Sequence, residues 1–228
     1  QPRSRGLGDV YKRQKQYRPA TSSISSGQVL HCPYGFDKGR LIVREMTELL
    51  ALDLVRKRVV TRQIVLDVGY DRESLTGDRG KLYTGPVVTD HYGRKVPKYA
   101  HGTGNIDHYT SSTQAIMEAV LAVYDRVVNP NLLIRRVNIA ACNLISEDDI
   151  PAGKPQQLDM FTDYDAADRA EQARKAAEEK ERRLQRVTLA IQDRYGKNAM
   201  LKAMNLLDGG TTIERNGQIG GHKAGDGL

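Results

Sequence analysis

Strand-like and helix-like patterns follow one another along residues 22–144 in an order that few folds can accommodate. The clearest strand is predicted over residues 63–70. There Ile64, Leu66, Val68 and Tyr70 would face one side, and Gln63, Val65, Asp67 and Gly69 the other. Helical spacing of apolar residues predicts one helix over residues 37–58 and a second that begins at a capping box of Ser111 and Gln114. The remaining strands are predicted at residues 22–30, 99–109 and 134–144.

The resulting order, β-α-β-β-α-β, predicts an α+β fold of the split βαβ type. Its four-stranded sheet would carry both helices on one face and leave the other face open to solvent or to a ligand. Residues 76–98 contain four glycines and are predicted to form an inserted loop or hairpin. Gly102 and Gly104 predict a bulge in the third strand.

The segments outside this core differ in composition. Residues 1–14 show no apolar period and are interpreted as a non-native scar, which leaves residues 15–145 as the globular domain. A polar linker is predicted over residues 146–165, C-terminal helices over 166–207 and a flexible Gly-rich tail over 208–228. The apolar seam of the helical part is rich in alanine. It favours docking on the chain's own domain, or full solvation, over a coiled coil.

The charge of the chain indicates a polyanionic partner. Its 228 residues include 35 Lys and Arg and 28 Asp and Glu, for a net charge of +7. Residues 1–62 hold thirteen of these cations against five carboxylates. A basic chain most often meets a polyanion, although solubility alone is the competing explanation. No segment has the ~18 apolar residues of a membrane span and no secretory signal is recognised, so a cytoplasmic protein without a membrane partner is expected.

No catalytic residue, metal ligand or cofactor is predicted in this chain. Walker A, GxSxG and HExxH patterns are absent from the sequence, and its carboxylates are scattered. The acidic run 147–149 lies in the predicted linker. His101 and His108 are separated by an odd number of residues, so on a regular strand they would face opposite sides of the sheet.

These residue types favour a nucleic-acid-binding surface over a catalytic site. An open sheet face of small, polar or basic side chains can lie along a phosphate backbone, and such binding tolerates any sequence and weakens with salt. The alternative is a solvated strand face without a ligand. The candidate DNA-binding residues are Ser23, Ser25, Ser26, His101, Thr103, Thr110, Arg135 and Arg136.

Four segments resemble, in the same order, the little-finger domain of Y-family DNA polymerases, the UmuC/DinB-type translesion enzymes of bacteria. These segments are residues 17–30, 37–58, 101–113 and 134–145. The resemblance implies a C-terminal polymerase fragment that grips template-primer DNA mainly through phosphates. The palm carboxylates, fingers and thumb of that family have no counterpart before Tyr17. Nucleotide addition, which uses magnesium in the intact parent, is therefore not expected of this chain alone.

A second resemblance concerns a pentapeptide in the predicted linker. The sequence QLDMF is similar to the bacterial sliding-clamp-binding peptide, whose general form is Gln-Leu-x-Leu-Phe. Its residues are Gln157, Leu158, Asp159, Met160 and Phe161. An apolar pocket would take the leucine, methionine and phenylalanine, with the aromatic ring as the dominant anchor. A chance pentapeptide is the alternative.

The sequence is therefore interpreted as the DNA-gripping and clamp-tethering part of a translesion polymerase. Its expected partners are template-primer DNA and the sliding clamp, and its expected place is the nucleoid of a bacterial cytoplasm. Two alternatives stay open: a stand-alone nucleic-acid-binding module, and a clamp-binding adaptor without polymerase function.

Overall fold

The computed structural model describes residues 22–151, 164–219 and 222–223. The elements, in chain order, are β1 (Ile24–Tyr34), α1 (Phe36–Arg56), β2 (Val59–Tyr70), α2 (Gly77–Leu82), β3 (Val87–Thr89), β4 (Lys95–Pro97), β5 (Ala100–Thr110), α3 (Thr113–Val127), β6 (Ile134–Cys142), β7 (Ile145–Ser146), α4 (Tyr164–Tyr195), α5 (Thr212–Asn216), β8 (Gln218–Ile219) and β9 (His222–Lys223). Short 3₁₀ turns lie at Arg72–Leu75, Glu147–Asp149, Lys197–Ala199 and Ala203–Leu206.

The main sheet has the strand order β1-β6-β2-β5, and every neighbouring pair is antiparallel. The short strand β7 pairs with the beginning of β2. The predicted α+β fold with the order β-α-β-β-α-β is confirmed, and the predicted insertion contains a hairpin of β3 and β4. In this order β6 and β2 are central strands, while β1 and β5 form the two edges.

The core lies between the sheet and the two helices α1 and α3. The alternation predicted for β2 is confirmed, because Ile64, Leu66 and Val68 are fully buried while their neighbours are not. Burying one such side chain contributes about 1.5–3 kcal/mol, so this face largely determines the register. The fully buried helical residues that meet it are Ile42, Val43, Met46, Leu50, Leu54, Ile116, Val120, Val123 and Tyr124.

The two glycines of β5 allow α3 to pack closely against the sheet, and the bulge predicted at them was wrong. Pairing with β2 runs without interruption through Gly102 and Gly104, and the register shifts only between Asn105 and Thr110. A Cβ atom at Gly102 would lie 2.6 Å from Val123 Cγ1, which real contacts do not permit. Both positions therefore need glycine because of close helix–sheet packing.

The helix starts differ slightly from the prediction. The N-cap of α3 is Ser112, whose Oγ accepts a hydrogen bond from the Ala115 amide. The capping box predicted for Ser111 and Gln114 was therefore wrong, because the helix begins one residue later and Gln114 bonds to Glu118 instead. The N-cap of α1 is Gly35, and Asp37 lies inside the first turn of the helix. There its negative charge still interacts favourably with the positive end of the helix dipole.

Helix α4 docks on the sheet domain at the junction of β5 and α3. Gln185, which is buried, donates to the Ser111 carbonyl at 3.0 Å. The Glu181 carboxylate accepts from the Ser112 hydroxyl at 2.5 Å and from the Gln114 amide at 3.1 Å. It thus satisfies donors at the free start of α3. Docking on the chain's own domain, one of the two arrangements favoured by the Ala-rich seam, is the one observed.

Residues 197–219, here called the C-terminal segment, cross α1 and the edge strand β1. Glu45 of α1 is 2% exposed, and its carboxylate accepts from Asn205 Nδ2 at 3.0 Å and from the Thr211 amide at 2.8 Å. Arg215 donates to Ser26 Oγ at 2.7 Å, and burial lowers the pKa of its guanidinium. Residues 208–219, assigned by composition to a loose tail, are therefore hydrogen-bonded to the sheet domain. None of the helices in the described part of the chain is apolar and long enough to cross a membrane.

Candidate nucleic-acid interface

The face of the sheet opposite α1 and α3, here called the outer face, is made by alternate residues of four strands. Most of these side chains are small or polar, and they are half-buried or exposed. A surface of this kind lets a nucleic-acid backbone approach the strands closely. The outer-face residues are Ser25, Gly27 and Val29 of β1, Arg136, Asn138 and Ala140 of β6, Gln63, Val65, Asp67 and Gly69 of β2, and His101, Thr103 and Asn105 of β5.

A polar row crosses the middle of the outer face. Strand pairing places Gly27, Asn138, Asp67 and His101 side by side. His101 Nδ1 donates to one Asp67 oxygen at 2.7 Å, and Asn138 Nδ2 donates to the other at 3.4 Å. The single carboxylate of this row is thus surrounded by donors, which partly offset its charge.

Arg136 is the exposed cation of the outer face. It pairs with Val29 on one side and with Gly69 on the other, and a Cβ atom at Gly69 would lie only 3.4 Å from Arg136 Cβ. Arg135 occupies the extra position where the register of β6 shifts, and its Nε lies 3.7 Å from Asp71 Oδ2. Arg136 is therefore the cation available to a ligand, whereas Arg135 already faces a carboxylate.

The structure brings part of the predicted DNA-binding set together on one surface. Ser25, His101, Thr103 and Arg136 share the outer face, and Arg135 lies at its end. Ser23 is exposed and immediately precedes β1.

Two predicted residues face the other way. Ser26 is on the helix side of β1, where its hydroxyl accepts a hydrogen bond from Arg215. Thr110 is 2% exposed, and its hydroxyl donates to Glu178 Oε2 at 3.3 Å. Both side chains are occupied by the C-terminal part of the chain, which removes them from the surface that a phosphate could reach.

Several outer-face residues lie outside the predicted DNA-binding set, although the strand pattern places them on this face. The alternation of β2 already put Gln63, Val65, Asp67 and Gly69 on the side opposite the core. Asn138 has the same parity as Arg136 two residues earlier in β6. Strand parity was therefore the signal that could have found them, once the open face was the candidate surface.

The two histidines of β5 have different surroundings, as their odd spacing predicted. His108 lies on the helix side, with Nε2 at 2.6 Å from Glu178 Oε1 of α4 and Nδ1 bonded to Asp107. The hydrogen bond from His108 holds the pKa of the Asp107 carboxyl below its usual range. Within the described ranges, no group of three or more His, Cys, Asp or Glu is arranged to hold a metal ion. The His108–Glu178 contact fastens α4 to the sheet.

Much of the positive charge of the N-terminal part lies outside the described residues. Residues 1–21 hold six Lys and Arg and one Asp, which is most of the excess over residues 1–62. The outer face itself carries Arg136, Arg135 at its end and the carboxylate of Asp67. Its own attraction for a polyanion is therefore modest. The pentapeptide at 157–161 also lies outside the described residues.

Comparisons with known proteins point to one family. The sequence model described as the impB/mucB/samB family C-terminal domain matches residues 21–160. The chain is 26% identical over 185 residues to a protein of Bacillus subtilis (strain 168) named for UV-damage repair, UvrX, with 81% of this chain covered. The match takes up 35% of that relative, so the chain spans about a third of its length.

A solved complex of the beta-clamp processivity factor and the little finger domain of PolIV is a weaker match. It has a TM-score of 0.34 and 6% sequence identity, and covers 62% of this chain and 100% of the matched chain. A similarity at that level carries no argument about function.

Proposed function

This chain belongs to the impB/mucB/samB family, whose C-terminal domain it contains. From that premise we propose that it grips template-primer DNA and tethers a translesion polymerase to the sliding clamp. The family assignment makes it a Y-family polymerase C-terminal domain of DNA-damage repair. The observation that carries the proposed DNA contact is the outer face, a half-buried to exposed surface of mostly small and polar residues with Arg136 beside Gly69.

The chemistry of the outer face suits phosphates better than bases. Gly27, Ala140 and Gly69 leave room for a backbone, while the hydroxyls of Ser25 and Thr103 can donate to phosphate oxygens. Contacts of this type fix the position of a duplex without reading its sequence. The Asp67 carboxylate at the centre of the face opposes a polyanion. Tight binding by this chain alone is therefore not expected.

The proposal assigns nucleotide addition to the intact parent protein, with magnesium held by residues that this chain does not contain. For the chain itself we propose no cofactor. Its place in the cell would follow the DNA, in the nucleoid of a bacterial cytoplasm. Family membership favours this reading over a stand-alone nucleic-acid-binding module or a clamp adaptor, because the curated relative is itself named for UV-damage repair.

Replacing Arg136 with alanine should weaken binding to duplexes of every sequence alike. If the guanidinium neutralises one phosphate, the slope of log K against log salt should flatten by about one. Fluorescence anisotropy with two unrelated duplexes over a range of salt concentrations measures both quantities. Arg183→Ala, which removes an exposed cation of α4 paired with Glu179, is the matched control and should leave the slope unchanged. An unaltered slope for Arg136→Ala would remove this arginine from the interface, and a loss limited to one sequence would indicate base readout.

The clamp tether rests on the sequence of residues 157–161. They follow the sheet domain in the chain and precede α4, so a clamp bound there would sit beside the DNA-gripping domain. A short peptide that must be ordered on binding supports only moderate affinity. Such affinity suits a contact that has to be made and released.

A further inference from the structure

The hairpin of β3 and β4 carries exposed aromatic rings. All three residues of β3 are exposed, whereas β4 packs inward at the buried Pro97. Tyr92 near its tip is 78% exposed, and Tyr99 between β4 and β5 is 54% exposed. Tyrosine is enriched at interfaces because it combines an apolar ring with a polar hydroxyl, so two exposed tyrosines on one module indicate a contact surface.

The tip of the hairpin holds Tyr92 in a defined position. Asp90 Oδ1 accepts from the amides of Tyr92 at 2.9 Å and Arg94 at 2.8 Å, and its other oxygen pairs with the Arg94 guanidinium at 2.7 Å. Gly93 has a φ of +77°, which lets the turn close. The Arg94 guanidinium lies 4.8 Å from the centre of the Tyr92 ring. Because the ring is already held from one side, a flat ligand meets it at little entropic cost.

The hairpin joins the sheet at one end of the outer face. Exposed Tyr99 immediately precedes β5, whose first outer-face residue is His101. The 3₁₀ turn at Arg72–Leu75, whose N-cap is Asp71, contacts β4 of the hairpin. Asp71 is also the carboxylate that Arg135 faces at 3.7 Å. The hairpin therefore lies beside the end of the outer face that carries Arg135.

The charge of the hairpin region complements a polyanion. Residues 76–99 contain five Lys and Arg but only two carboxylates, and both carboxylates are paired within the region, with Lys81 and Arg94. In the described part of the chain, no carboxylate lies within salt-bridge distance of the other three cations, which are Arg79, Lys95 and Lys98. Exposed cations interleaved with exposed aromatic rings are typical of surfaces that bind single-stranded nucleic acid.

We propose that this hairpin binds the unpaired nucleotides that extend from a duplex lying on the outer face. Bases stack on the rings of Tyr92 and Tyr99, and Lys95 and Lys98 meet phosphates of the same strand. Every base has a flat face, so this contact tolerates any sequence. The inference rests on the proposed function, because the duplex on the outer face is what brings the unpaired strand to the hairpin.

The test compares one blunt duplex with the same duplex carrying a single-stranded extension, by fluorescence anisotropy. The wild-type chain should bind the extended DNA more tightly, and Tyr92→Ala should reduce that gain by about tenfold in affinity, the loss of one stacked base. Tyr92→Phe should keep the gain, because the ring is retained. Tyr195→Ala is the matched control: Tyr195 is 66% exposed, and the Arg194 guanidinium lies 5.2 Å from its ring centre. It should also keep the gain.

The outcomes separate the inference from the proposed function. If the extension gives no gain to the wild-type chain, or the same gain to Tyr92→Ala, the hairpin is not the site and the inference is overturned. Loss of the gain in Tyr92→Phe would contradict stacking, since only the hydroxyl differs. Failure of the wild-type chain to bind the blunt duplex would instead overturn the proposed function. Unchanged binding of the blunt duplex by Tyr92→Ala shows that the variant is folded.

Discussion

Replacing Glu45 with alanine should destabilise the C-terminal segment by about 1–3 kcal/mol, the cost typical of leaving buried hydrogen-bonding groups without their partner. The change would leave the Asn205 amide and the Thr211 N–H without their acceptor, and Arg215 without a nearby compensating charge. Urea denaturation followed by circular dichroism measures the loss for the whole chain. Hydrogen exchange of the amides of residues 203–217 measures the loss of stability within the C-terminal segment itself.

A second carboxylate provides the control for this experiment. Asp208 belongs to the same segment and pairs with Lys38, but its side chain is 90% exposed. Asp208→Ala should therefore change neither stability nor exchange noticeably, because exposed ion pairs contribute little. If Glu45→Ala behaved like Asp208→Ala, the buried carboxylate would not be what fastens the C-terminal segment to α1.

Replacing Phe161 with alanine should weaken binding of the chain to a bacterial sliding clamp by about thirtyfold, since an aromatic anchor typically contributes about 2 kcal/mol or more. Surface plasmon resonance with immobilised clamp measures this loss. A peptide that spans Pro155 to Asp163 should compete with the intact chain.

Asp159→Ala is the matched control within the same peptide. The middle position of the motif points away from the pocket in this interpretation, so clamp affinity should hardly change. DNA affinity should be the same for both variants, because the peptide and the outer face share no residues. Undiminished clamp binding by Phe161→Ala would mean that QLDMF is a chance pentapeptide.

Sequence patterns predicted the order of elements because strands and helices have different periods. The alternation over residues 63–70 named the buried side of β2 correctly, and the helical period located α1 and α3. Strand parity says which residues share a face but not which strands are neighbours. The order β1-β6-β2-β5 therefore had to come from the structure. The glycines of β5 were misread for a similar reason: close approach of a helix leaves no local signature that distinguishes it from a bulge.

The candidate interface was predictable only for residues whose side chains make no contact with residues far away in the sequence. His101, Thr103 and Arg136 lie on the outer face as proposed, because parity within their own strands decides it. Ser26 and Thr110 were assigned to the same surface but are engaged by Arg215 and Glu178, respectively. These contacts join residues far apart in the chain, and no local pattern encodes them. Residues 22–26, which are mostly serine, also lack the alternation of apolar and polar side chains that would have distinguished the two faces of β1.

The central claim is that duplex DNA lies on the outer face of the sheet. The most direct test is a nuclear magnetic resonance titration of the isotopically labelled chain with a blunt duplex at low salt. The largest amide shift changes should fall on the outer face, at Ser25, Val65, Thr103 and Asn138, while the amide resonances of α1 and α3 should hardly shift. Changes concentrated on the helices, with these four amides unaffected, would contradict the central claim.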